Sequence, residues 1–144
     1  MTTPAPALSA DDRIAIHELT TAYGVHHDQL DFESLHACFT ADASYLMKVA
    51  DGTVHGPRLG ADAIISQIKT FKASQTDRRR HHISNIQVSA RDANTAEVTS
   101  YVLVSAVADQ QLSLITVGTY TDVVTRTADG WRISEKVLQL DTTF

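Results

Sequence analysis

Two histidines and an asparagine stand close together in Arg80-His81-His82-Ile83-Ser84-Asn85-Ile86-Gln87-Val88. The stretch reads as a β-strand, in which successive side chains point to opposite faces. His81, Ile83 and Asn85 then share one face, and His82, Ser84, Ile86 and Val88 the other. A histidine and an asparagine flanking an isoleucine suit the lining of a pocket better than a solvated edge. A neutral imidazole removes a proton from carbon when a carboxylate accepts a hydrogen bond from its other nitrogen. The carboxylate fixes the tautomer and stabilises the imidazolium as it forms. A bulge in the strand would exchange His81 for His82, which is the reserve candidate.

The elements that must position such a site follow from the pattern of the chain. Ser9 and Asp12 have the spacing of a capping box, with Asp in place of the preferred Glu or Gln. They open a helix whose buried stripe is Ile16, Leu19 and Tyr23. It ends near Gly24 and the polar run His26-His27-Asp28-Gln29. Asp31 caps a second short helix with Leu35, Cys38 and Phe39 on its apolar face. Asp42 to Met47 is a candidate first strand, and Gly52, Gly56, Pro57 and Gly60 mark turns. Ala61 to Phe71 carries Ile64, Ile65, Ile68 and Phe71 on one helical face. Three β segments come after the histidine strand: Thr95 to Val107, Leu112 to Arg126 and Trp131 to Leu140. Short turn-forming links (residues 91–94, 109–110 and 129–130) predict antiparallel pairing. Helices first and a β-meander afterwards define an α+β fold, helices on one face of a curved, mostly antiparallel sheet.

Composition sets the outer limits. The chain of 144 residues, 43% hydrophobic and 20% charged, suits one domain with one core. Residues 1–9, with two prolines, read as a flexible arm, and residues 10–144 as the domain. A net charge of −5 argues against nucleic acid as a partner. No apolar run approaches the ~20 residues that span a bilayer. Met1-Thr2-Thr3-Pro4 lacks the basic start and apolar run of a signal peptide. With a single cysteine, Cys38, the expectation is a cytoplasmic protein that binds no membrane.

Four motifs in order resemble the SnoaL-like branch of the nuclear transport factor two-like superfamily. They are Ile16-x-x-Leu19-x-x-x-Tyr23-x-x-x-x-Asp28, Phe39-Thr-Ala-Asp-Ala-Ser-Tyr45, His81-x-x-x-Asn85, and Tyr120-Thr-Asp-Val-Val-Thr-Arg126-x-x-Asp-Gly-Trp131-Arg132-Ile133. The resemblance implies a cone-shaped α+β barrel whose open end holds an apolar pocket. Within it, the pattern is most similar to lyases such as scytalone dehydratase, bile-acid 7α-dehydratase and lindane dehydrochlorinase, which use an Asp to orient a His and no metal. By position Asp28 matches that Asp and His81 that His. Tyr23 matches a pocket tyrosine, Tyr45 more loosely a second, and Asn85 an asparagine spaced as in the dehydrochlorinase. The reaction so implied is a cofactor-independent elimination or isomerisation on a small, mostly apolar, cyclic or polyketide-like molecule. His27 before Asp28 departs from the dehydrochlorinase pattern. The superfamily also holds noncatalytic binding domains and small subunits of ring-hydroxylating dioxygenases, so the fold alone does not decide the activity.

Other readings of these residues stand beside that one. Asp28 could only cap the chain near Asp31, and the tyrosines could be core side chains with satisfied hydroxyls. His17, His26, His27, His36 and His55 form no recognised ligand motif, so no metal is expected. Adjacent His26 and His27 read as a polar helix end, and Arg78 to Arg80 as a solvated strand entrance. No glycine-rich phosphate loop precedes a helix, so no nucleotide cofactor is expected. Val98, Val102 and Val104 lie on one strand face and Tyr101, Leu103 and Val107 on the other. One face fills the cone, and the other suggests a homo-oligomer, dimer or trimer.

Overall fold

A computed structural model of the chain describes residues 7–144. The expected arm, residues 1–9, therefore lies mostly outside the described residues, but its end does not behave as an arm. Leu8 is buried in the core and Ser9 caps the first helix. The elements run α1 (Ala10–Asp28), α2 (Phe32–His36), β1 (Phe39–Val49), β2 (Val54–Leu59), α3 (Ala61–Ala73), β3 (Arg78–Ala90), β4 (Thr95–Ala108), β5 (Gln111–Thr127) and β6 (Gly130–Leu140). They form the predicted α+β cone, although the sheet does not close into a barrel. Its order is β2-β1-β6-β5-β4-β3. All neighbours are antiparallel except β1 and β6, which run parallel.

Two sequence expectations need correction. The glycine and proline turns hide a whole strand: Gly56-Pro57 is a cis peptide bond inside β2, which pairs with β1 at the sheet edge, where a missing N–H is tolerated. Phe39 starts β1 rather than ending a helix, and remains buried.

The capping box forms as expected. Asp12 N–H donates to Ser9 Oγ at 3.0 Å, and Ser9 N–H to Asp12 Oδ2 at 3.3 Å. Asp12 also accepts from Arg126 at 2.8 and 3.0 Å and from the Trp131 indole at 3.1 Å, so one carboxylate ties α1 to the β5–β6 hairpin. Arg126, first, and then Trp131 hold the Asp12 carboxyl well below the usual carboxylate range. A carboxyl whose pKa is lower in the folded state stabilises the fold when ionised. That contribution is present above about pH 4, the unfolded value, and lost on acidification below it. Arg126→Ala should therefore lower the urea midpoint at pH 7, with the gap from the parent narrowing as the pH falls below about 4.

Candidate functional site

Asp28 ends α1, and β3 passes beside it because α1 packs closely on that strand. Gly24 makes the approach possible. A Cβ there would stand 2.9 Å from Ile83 Cδ1 and 3.5 Å from His81 Cβ. A single methyl needs only the Ile83 tip to move, and the helix gains about 1 kcal/mol in propensity. Gly24→Ala should thus be close to neutral in chemical denaturation. Gly24→Val, branched against His81, should lower the unfolding midpoint and lengthen the contact between Asp28 and His81, seen as loss of the hydrogen bond in His81 nitrogen spectra.

Asp28 and His81 are in contact. His81 Nδ1 lies 2.6 Å from Asp28 Oδ1, and the His81 backbone N–H donates to the same carboxylate at 3.1 and 2.9 Å. Both side chains are largely buried, His81 at 11% and Asp28 at 18% exposed. An ionised carboxylate only accepts, so the hydrogen of this contact belongs to Nδ1. In the neutral ring, Nε2 is left as the acceptor. It makes no hydrogen bond among the described residues and is not closed off.

The ring lines an apolar cavity between the sheet, α1 and α3, walled by Met47, Ile68, Val102, Val104, Leu138 and Leu140. Its volume is about 70 Å³, room for several waters. Tyr23 and Tyr45 line it, joined by Tyr120, whose ring stands edge-on 5.7 Å from that of Tyr23. Burial raises the pKa of all three phenols, so they serve as neutral hydroxyls. Behind them Lys136 and Asp122 form a buried ion pair at 2.9 and 3.0 Å. The ammonium lies 4.2 Å from the centre of the Tyr23 ring and 3.8 Å from that of Tyr120. Phe71 and Phe144, with ring centroids 5.5 Å apart, stand at the cavity wall nearest His55.

Asn85 does not join the others, and its expected place in the lining is corrected. The residue has φ 55°, and the register with β4 slips between Ser84 and Gln87. This is a β-bulge with Asn85 in the left-handed conformation that asparagine tolerates. Asn85 is exposed, and beyond the bulge Ile86 and Val88 turn inward in its place. The bulge lies after the histidines, so His81 stays inside while His82 is exposed and pairs with Ser105 Oγ at 2.8 Å.

The largest omission in the sequence reading is His27. It lines the cavity, its ring centroid 4.2 Å from that of His81 and 5.8 Å from that of Tyr23. Burial, then the neighbouring His81, hold its pKa well below the ordinary imidazole value, so it is neutral near pH 7. Arg79, read as part of a solvated entrance, also lines the cavity and pairs with Asp77 at 2.8 Å. Tyr120 and the ion pair beneath were visible only as strand residues. Reading back from Leu140 and Leu138 by twos places Lys136 inward, and Tyr120, Asp122 and Val124 share a face in the same way.

His27, Asp28 and His81 offer ligand atoms within 4.8 Å of one another. Asp28 already accepts from the His81 backbone N–H and ring, which leaves part of its lone-pair capacity free beside the two imidazoles.

The curved sheet with helices on its inner face and a cavity between them defines the nuclear transport factor two-like class. The chain belongs to the SnoaL-like domain family, which matches residues 9–137. A nuclear transport factor two-like protein with a cystatin-like fold from Novosphingobium aromaticivorans is 25% identical, over 90% of this chain and 82% of that one, with TM-score 0.77. A protein from Catenulispora acidiphila, solved in complex with S-DNPA, is 19% identical over 92% and 95%, with TM-score 0.79. A chain from N. aromaticivorans assigned as the beta subunit of an aromatic-ring-hydroxylating dioxygenase is 14% identical over 90% and 89%, with TM-score 0.77. Among curated proteins none matches. Among the described residues no helix is long and apolar enough to cross a membrane.

Proposed function

We propose that this chain is a cofactor-independent lyase or isomerase acting on a small, mostly apolar cyclic molecule. His81 is the general base, Asp28 orients it, and Tyr23 and Tyr45 donate hydrogen bonds to oxygen as negative charge develops. The observation that carries the reading is the 2.6 Å contact from His81 Nδ1 to Asp28 at the wall of an apolar cavity. Abstraction of a proton next to a carbonyl leads to loss of a β-substituent or to return of the proton elsewhere, so dehydration, dehydrohalogenation and enone isomerisation share one first step. The neutral phenols, seated on a buried cation, are placed to favour the enolate. The complex of the Catenulispora relative supports a small organic ligand in this fold.

Nitrogen-edited NMR of the His81 ring tests the pair. The parent should show the hydrogen on Nδ1 together with a strongly hydrogen-bonded proton, and Asp28→Asn should lose both features. A parent ring with its hydrogen on Nε2 would sink the dyad.

A second reading, a noncatalytic binding domain or a dioxygenase small subunit, turns on what covers the outer sheet face. Tyr101, Leu103, Leu112, Leu114 and Val117 are exposed there. Pairing of Leu103 with Val117 and of Val107 with Leu112 makes them one strip. We propose that this strip meets a second copy of the chain, in keeping with a cytoplasmic homo-oligomer. A monomer by sedimentation would overturn the homo-oligomer, and capture of a larger oxygenase subunit would favour the second reading.

A further inference from the structure

Two neighbouring imidazoles line the cavity, and their surroundings differ. For His81, Asp28 fixes the hydrogen on Nδ1. For His27, Nδ1 is buried and has no hydrogen-bond partner among the described residues. The ring's own backbone carbonyl is close enough to act on it but is not within hydrogen-bond geometry of Nδ1, and a buried N–H left without an acceptor is costly, which favours the hydrogen of the neutral ring on Nε2. That nitrogen is neither bonded nor closed off, and the ring lines the cavity. The cavity therefore presents a bare acceptor, His81 Nε2, beside a donor, His27 Nε2–H, on rings whose centroids are 4.2 Å apart.

We propose that His27 is a substrate-binding residue that donates a hydrogen bond to an oxygen of the ligand, while His81 faces the hydrogen next to that oxygen. The ligand class so selected is a small cyclic molecule carrying a carbonyl or hydroxyl group, with the rest of its surface apolar. An enolisable ketone places its C=O on His27 and its α-hydrogen on His81. A phenol or alcohol spans the same pair with one hydroxyl, accepting from His27 and donating to His81. A neutral histidine suits this task because it polarises an oxygen without placing a second cation beside the imidazolium that forms on His81. The sequence offers no periodic signal for this. His27 precedes Asp28 in the last turn of α1, and neighbouring helical residues diverge by about 100°, so only the closeness of α1 to β3 brings both to one site. The proposal rests on the cavity being the ligand site, and does not require His81 to act as a base.

The test uses phenol and benzene, two probes of one size that differ in a hydroxyl. Nitrogen-edited spectra of the intact protein should show His27 with its hydrogen on Nε2, and phenol should shift both ring nitrogens of His27. Phenol should bind the parent about tenfold more tightly than benzene, the worth of one hydrogen bond. In His27→Phe, which keeps an aromatic ring and buries no orphan nitrogen, the preference should vanish with benzene affinity retained. His27→Gln should keep part of it. A His27 hydrogen on Nδ1, an undisturbed His27 signal on adding phenol, or an unchanged preference in His27→Phe would each overturn the proposal. So would micromolar binding of zinc chloride that moves both rings, since the site would then be a metal centre. The spectral arm needs no variant, so misfolding of His27→Phe would not decide the matter. Failure of the His81–Asp28 pair shows separately, as a parent His81 ring with its hydrogen on Nε2 or a His81 spectrum that Asp28→Asn leaves unmoved.

Discussion

Asp28→Asn should lower turnover by about 10²–10⁴-fold, the range for a positioned general base and for a histidine held in the wrong tautomer. The asparagine oxygen can still accept from the His81 backbone N–H, which the carboxylate bonds at 2.9 Å, so the chain should fold. What changes is the group facing Nδ1. If the amide nitrogen turns there it can only donate, and the His81 hydrogen moves to Nε2, the nitrogen that must be bare to take a proton. The affected constant should be kcat, with KM nearly unchanged, because Asp28 supports the ring rather than the ligand. Steady-state rates on an enone, a β-hydroxy ketone and a β-halo ketone would check it. A variant that keeps parental kcat would remove the base role from His81.

Lys136→Met should cost about 3–5 kcal/mol of stability, because it leaves the Asp122 carboxylate in the core without its partner. Both groups are essentially closed to solvent, at 1% and 2% side-chain exposure. Burial is the leading influence on each, pushing Asp122 up and Lys136 down, and their mutual attraction opposes it. In the single variant that opposition is gone. A carboxyl whose folded pKa is raised favours the folded state below its unfolded value, and that advantage fades as the pH climbs through the folded value. The loss should therefore be larger at pH 7 than at pH 4 by urea denaturation. Lys136→Met with Asp122→Leu, which removes both charges, should recover most of it. A single variant as stable as the parent would show that the pair is not ionised.

The long, strongly patterned elements were legible in the sequence. Ile16, Leu19 and Tyr23 marked α1, the isoleucines of α3 marked its buried face, and the β-rich segments from Thr95 onward gave the meander. The pairing of His81 with Asp28 came through the family resemblance, because 53 residues separate them and no local pattern joins a helix end to a particular strand position. Local deviations from ideal geometry were hidden. Strict alternation put Asn85 inside, but the bulge at its positive φ swings it out. A second irregularity, where Ser134 is extra between Ile133 and Glu135, brings Lys136 to the inner face. Pro57 read as a turn because sequence cannot say that a strand will be an edge. His27 looked like a polar helix end because histidine types alone do not reveal a cavity wall.

The parallel pairing of β1 with β6 bears on how the chain reaches this structure. Phe39 lies opposite Ile133 and Val49 opposite Leu140, so a strand from the first third of the chain has its inner neighbour in the last tenth. Closing so long a loop costs entropy before the contact returns any energy, which slows folding. The hairpins from β3 to β6 can zip locally, whereas β1, with β2 at its outer edge, must wait for residues 133–140. A newly made chain thus carries β1, paired with β2 along one edge only, until residues 133–140 exist. That interval is when aggregation competes most strongly with folding.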